Sequence, residues 1–156
     1  MPSTSPLPSL RQRLSSATSL FVAILWLGLL LGVSFLATPV KFQAPSLDLP
    51  TALEVGRVTF ALFCKVEWGL FALLALSMFL APPRVWRWAC LAALLGIMML
   101  ETCWLLPILD ARVSEVISGT DIPGTHHHFL YIAAESVKAV LLLALSIAGL
   151  GKLIKS

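Results

Sequence analysis

Five ionisable residues stand inside otherwise apolar stretches of this chain: Lys65, Glu67, Glu101, Glu135 and Lys138. A charge near the centre of a bilayer costs at least about 2.5–3.5 kcal/mol, so residues of this kind need partners. Glutamates beside a lysine in a dry setting allow two chemistries. Glu67, Glu101, Glu135 and Lys138 can neutralise one another in a buried network that fixes helix register. Alternatively, they can form the centre of a path for a proton, a cation or a small solute. In either case three carboxylates facing one or two lysines at low dielectric cannot all be ionised, and at least one carboxyl is expected to hold a proton.

The other groups capable of chemistry are His126, His127 and His128. Neighbouring residues on a helix point 100° apart, so at most two of them can grip one metal ion, with Asp121, Asp110 or Glu115 completing a site. The plainer reading is a titratable start to a helix. No Glu-x-x-His pair lies within an apolar stretch, and no phosphate loop, nucleophile elbow, His-Glu-x-x-His or Cys-x-x-Cys occurs, so the expectation is a non-enzymatic protein without a cofactor.

The elements that must position these residues follow from composition. Of 156 residues, 58% are hydrophobic and 12% charged, whereas soluble domains carry about 25% charged residues. Mean hydropathy is +0.92. The partner this implies is the lipid bilayer, and the formal net charge of +3 reports topology rather than a nucleic acid. Spanning the hydrocarbon takes about 20 apolar residues. Four such runs appear, at 19–38, 51–81, 85–106 and 125–150, predicting an all-α, antiparallel four-helix integral membrane bundle. Pro39, Pro50, Pro82, Pro83, Pro107 and Pro123 fall at run ends, where a missing N–H is tolerated. Thr51 and Glu54 read as a capping box opening the second helix, whose first turns, with Glu54 and Arg57, should project beyond the hydrocarbon. Phe35 stands where a signal-peptide cleavage site needs a small residue, so the first run reads as a retained anchor.

Residues 1–18 are expected to be a disordered cytoplasmic segment and 152–156 a basic cytoplasmic tail. Leu109, Val113, Val116 and Ile117 recur at helical spacing and predict a short interfacial helix over 109–118. Arg11, Arg13, Arg84, Arg87, Lys152 and Lys155 flank one side of the bundle, against Lys41, Arg57 and Arg112 on the other, which places both termini in the cytoplasm.

Counted from the ends of these helices, Glu67, Glu101, Glu135 and Lys138 lie at one depth, roughly 20–24 Å from the cytoplasmic side. His128, Tyr131, Glu135 and Lys138 share one stripe of the fourth helix, while Cys64, Glu67, Trp68 and Phe71 share a face of the second and Ile97, Glu101 and Trp104 one of the third. Lys65 points nearly opposite to Glu67, and Lys41 lies on the far side with the histidines. Gly28 and Gly32 occupy one face of the first helix and are the candidate contact for close helix approach or for a homo-oligomer. Cys64, Cys90 and Cys103 read as small buried hydrophobes.

Trp26-Leu27-Gly28, the stretch Ala37-Thr38-Pro39-Val40-Lys41-Phe42, the aromatic second helix (Phe60, Phe63, Trp68) and His128 followed by Tyr131 resemble a family of small four-helix membrane proteins related to transmembrane protein 205. The resemblance covers most of residues 20–145 and implies a four-span fold resident in a bacterial inner membrane, with no assigned activity. The functional expectation is therefore a multi-pass protein of proton-linked, cation or small-solute transport built on the Glu/Lys cluster. The alternative is an accessory or assembly subunit of a larger membrane complex.

Overall fold

The computed structural model describes residues 10–81, 83–119 and 126–154, which form helices joined by short irregular connections and contain no strand. Four helices are long and apolar enough to cross a membrane: α1 (Leu10–Lys41), α2 (Leu49–Phe79), α3 (Val85–Ile117) and α4, whose apolar span His126–Gly151 continues as helix to Ile154. Consecutive helices run antiparallel, and each packs on two others in a closed ring, α1 most extensively on α4 and α2. Lys41, Arg57 and His126–His128 gather at one end, the His end. Arg11, Arg13, Arg84 and Arg87 gather at the other, the Arg end. Outward side chains such as Phe21, Leu62, Val140 and Ile147 are exposed. In lipid they need no further cover, and a multi-pass membrane protein is the architecture that tolerates them.

The N-terminal boundary corrects the expectation. Helix α1 starts at Leu10, so residues 10–18 are helical rather than disordered, while 1–9 lie outside the described residues. Buried polar contacts explain the added turns. Ser15 Oγ donates to the Ser77 carbonyl at 2.5 Å, the Ser19 and Ser77 hydroxyls meet at 2.7 Å, and Arg87 Nη2 donates to Ser19 Oγ at 3.0 Å. A segment that looked solvated thus has a face to bury against α2 and α3.

Two wide turns correct the placement of the prolines. The backbone is π-helical from Leu31 to Ala37 and again from Glu101 to Leu105. Pro39 and Pro107 follow these turns and open further α-helical pieces instead of ending their helices. A proline removes one N–H and crowds the carbonyl four residues earlier; where a π turn has already shifted the pairing, the helix can run on. The separate interfacial helix expected over 109–118 is consequently the final part of α3, Leu106–Ile117, ended by Gly119 at a φ of 84° that favours glycine. Beside it, Arg57 Nη1 donates to Ser114 Oγ at 3.2 Å and Arg57 Nε lies 3.5 Å from Asp110 Oδ1, tying α2 to α3 at the His end.

Helix α2 opens at Leu49, not at Thr51. Asp48 is the cap, its Oδ1 accepting the Thr51 N–H at 3.1 Å with Pro50 in the first turn. The Thr51–Glu54 box is pre-empted because that capping position lies one turn too late. The hydrogen bonds from Thr51 hold the Asp48 carboxyl below the ordinary carboxylate range. A depressed folded value means that the cap contributes fully above about pH 4 and is lost as pH falls through the lower folded value. Asp48→Asn keeps an acceptor without a titrating proton. Its Thr51 amide protection factor should lose the acid step seen in the native chain, and acid fraying identical in both proteins would refute the cap's role.

Candidate functional site

The bundle brings Glu67, Glu101, Glu135 and Lys138 together, as their depths predicted. Lys138 Nζ, fully buried on α4, donates to Glu67 Oε1 and Oε2 at 2.8 and 3.0 Å and to Glu101 Oε2 at 2.6 Å. It also lies 2.8 Å from Glu135 Oε1, an ion pair not aligned as a hydrogen bond. One ammonium therefore serves three carboxyls on three helices. Oxygens of Glu67, Glu101 and Glu135 lie within 4.8 Å of one another, a geometry that could ligate a cation, and Lys138 occupies it.

Two further partners carried no charge signal. Trp26, fully buried on α1, donates its indole N–H to Glu67 Oε1 at 2.9 Å. Ser34 Oγ donates to Glu135 Oε2 at 3.0 Å from within the first π segment, and Glu101 opens the second. Both π turns thus place groups of the cluster, in keeping with the frequent occurrence of such turns at functional sites. A donor-only Trp and a lone Ser inside an apolar run were the signals available. Glu101 Oε1 is buried and accepts no hydrogen bond among the described residues.

The cluster's two sides differ. Toward the Arg end, Ala23, Leu74, Leu94 and Leu142 form a dry layer, each at most 1% exposed. Toward the His end, a cavity of about 280 Å³ lies between α1, α2 and α4 and reaches from the exposed His128 and Phe42 to the buried Tyr131 and Glu135. Tyr131 is buried one turn outward of Glu135, on the polar stripe expected for α4.

The remaining candidates do not join the cluster. Lys65 is exposed, on the opposite side of α2 from the buried Glu67, as its angle predicted. Trp104 departs from the shared face proposed with Glu101: the π turn rotates it outward, where it packs edge-on against His127 at 5.8 Å, and Leu105 takes the buried position. His126 and His128 are exposed and His127 half-buried, and the three form no metal-ligating group among the described residues; Asp121 lies outside them. Gly28 and Gly32 have nothing within 4 Å of a built Cβ, so they mediate no helix approach within this chain. Gly56, against Lys41, and Gly149, against Leu20, are the close contacts instead. Cys64 and Cys90 are half-buried and Cys103 exposed, so they are not the fully buried hydrophobes expected. Cys64 Sγ lies 3.4 Å from the Thr102 hydroxyl, which also accepts from Trp68 Nε1 at 3.2 Å.

Comparison with known protein families, with curated proteins and with solved structures finds no match in any of the three.

Proposed function

We propose that this chain is a non-enzymatic transport protein that moves protons, or a cation linked to them, through the Glu67–Glu101–Glu135–Lys138 cluster. The observation that carries the reading is one-sided access: a cavity meets the cluster from the His end, and an apolar layer seals the Arg end. A network serving only to fix helix register needs no such cavity. Passage then requires the Ala23, Leu74, Leu94 and Leu142 layer to part, with the π turns of α1 and α3 as places where a helix can shift register. With the excess of lysine and arginine marking the cytoplasm, the cavity faces outward and both termini inward. The resemblance of Trp26-Leu27-Gly28 and the 37–42 stretch to proteins related to transmembrane protein 205 supports residence in a bacterial inner membrane as part of this reading.

Reconstitution into liposomes with an internal pH dye tests this. The native chain should dissipate an imposed proton gradient, and Glu67→Gln or Glu101→Gln should slow it at least tenfold while monodisperse protein remains abundant. Infrared spectra of the same samples should show a protonated carboxyl stretch at neutral pH that weakens in one of the variants. Dissipation no faster than in empty liposomes overturns the transport reading, and no protonated carboxyl above about pH 6 removes the shared dry cluster.

One observation favours a second reading. The Gly28–Gly32 face of α1 is open, a surface suited to another membrane helix, and an accessory subunit of a larger complex would use it. Stoichiometric foreign subunits after gentle detergent extraction and sizing would support that role. A monomer or homo-oligomer supports the first.

A further inference from the structure

We infer that the cavity at the His end is a binding site for a small organic cation, an alkylated amine, with Lys41 as a tethered cation against two of its aromatic rings. This rests on the transport reading and names its substrate class.

The walls are aromatic. Phe42, Phe60 and Tyr131 line the space, the last two meeting edge to face at a centroid distance of 5.2 Å and an angle of 74°. Phe35, in the π segment of α1, adds a fourth ring. The floor is Glu135, part of a group in which three carboxyls face one lysine. Aromatic faces beside a carboxylate are the chemistry that holds quaternary and other alkylated ammonium ions.

The rings already hold such a charge. Lys41 Nζ lies 5.0 Å from the Phe42 centroid and 5.8 Å from that of Phe60, within the roughly 6 Å reach of a cation–π contact. It can do so because residue 56 is glycine; a Cβ there would overlap the ammonium. The chain thus supplies its own cation to the two rings that a soluble one would meet.

Other ligand classes fit less well. A bare inorganic cation prefers a shell of several oxygens, and here Ser34, Thr38, Tyr131 and Glu135 are outnumbered by carbon. A neutral apolar solute would gain nothing from Glu135 or from the Ser34, Thr38 and Tyr131 hydroxyls along the wall. An anion meets the wrong sign. The volume of about 280 Å³ lies just under the range of drug-sized pockets, which suits an amine of a few carbons.

Calorimetric titration of the full chain in phosphatidylcholine nanodiscs, with empty nanodiscs as blank, tests this with tetramethylammonium as the probe and neopentyl alcohol as its neutral counterpart. Saturable binding of tetramethylammonium alone is expected. Phe60→Leu, which keeps an apolar side chain and removes the ring, should weaken binding about three- to tenfold. Lys41→Met, which removes the competing charge, should tighten it about three- to tenfold. Equal binding of the neutral alcohol overturns the proposal without any variant. So does displacement of the probe by equimolar sodium or potassium, or an unchanged affinity in folded Phe60→Leu. Proton flux without tetramethylammonium binding defeats this inference alone, whereas binding without flux defeats the transport reading and leaves the site standing.

Discussion

Lys138→Met should leave far less folded protein than any single carboxyl substitution in the cluster. The ammonium lies within 2.8 Å of an oxygen of each of Glu67, Glu101 and Glu135 and has no exposure to solvent. Removing it strands up to three carboxyls in a dry interior, and breaking a buried ion pair from one side costs about 3–5 kcal/mol. Methionine matches the stem of lysine in length, so the loss is electrostatic and little is due to volume. Two consequences separate this from general damage. Adding Glu67→Gln to Lys138→Met should recover part of the loss, because it removes one of the stranded charges. The variant should also be better folded at pH 5 than at pH 8, since its carboxyls have no counter-ion and fold best when protonated. Denaturant unfolding in mild detergent, followed by circular dichroism at both pH values, measures these effects. A variant as stable as the native chain at pH 8 would mean that the carboxyls are already neutral without Lys138.

Depth was legible in the sequence because helical rise is constant. Counting from Ala81, Arg87 and Gly151 aligned Glu67, Glu101, Glu135 and Lys138, which the bundle joins in one set of contacts. Azimuth was legible wherever the backbone stays α-helical, as for the Tyr131–Glu135–Lys138 stripe and for the outward Lys65. It was not legible across the π turns, where 100° per residue no longer holds and Trp104 leaves the face of Glu101. The same turns let Pro39 and Pro107 sit within continuous helix, so proline punctuation overstated where helices end. Neutral donors escaped a search based on charge: Trp26 and Ser34 complete the cluster, yet each is an ordinary residue of an apolar run. Gly28 and Gly32 show the converse. The spacing marks a face, but only packing decides whether that face meets a helix of the same chain.

Trp26→Ala should be the second most damaging substitution, by a different route. The indole is fully buried among Val22, Ala23, Leu30 and Leu70 and also donates to Glu67. Truncating a buried Trp in a protein core costs about 3–5 kcal/mol, mostly through the cavity left behind. In a bilayer the part due to leaving water shrinks while the lost packing remains, which sets the expectation near the lower end, about 3 kcal/mol. Trp26→Phe separates the two contributions. It restores most of the volume and removes only the N–H, and because Glu67 Oε1 still receives Lys138 Nζ at 2.8 Å, the cost should fall to about 1–2 kcal/mol. The alanine variant leaves a void between α1 and α2 that protonation cannot fill. Its deficit should therefore persist at pH 5, where Lys138→Met recovers. If acid rescued Trp26→Ala as well, the indole would be acting mainly on the charge balance of the cluster, and the packing role assigned to it on α1 would be wrong.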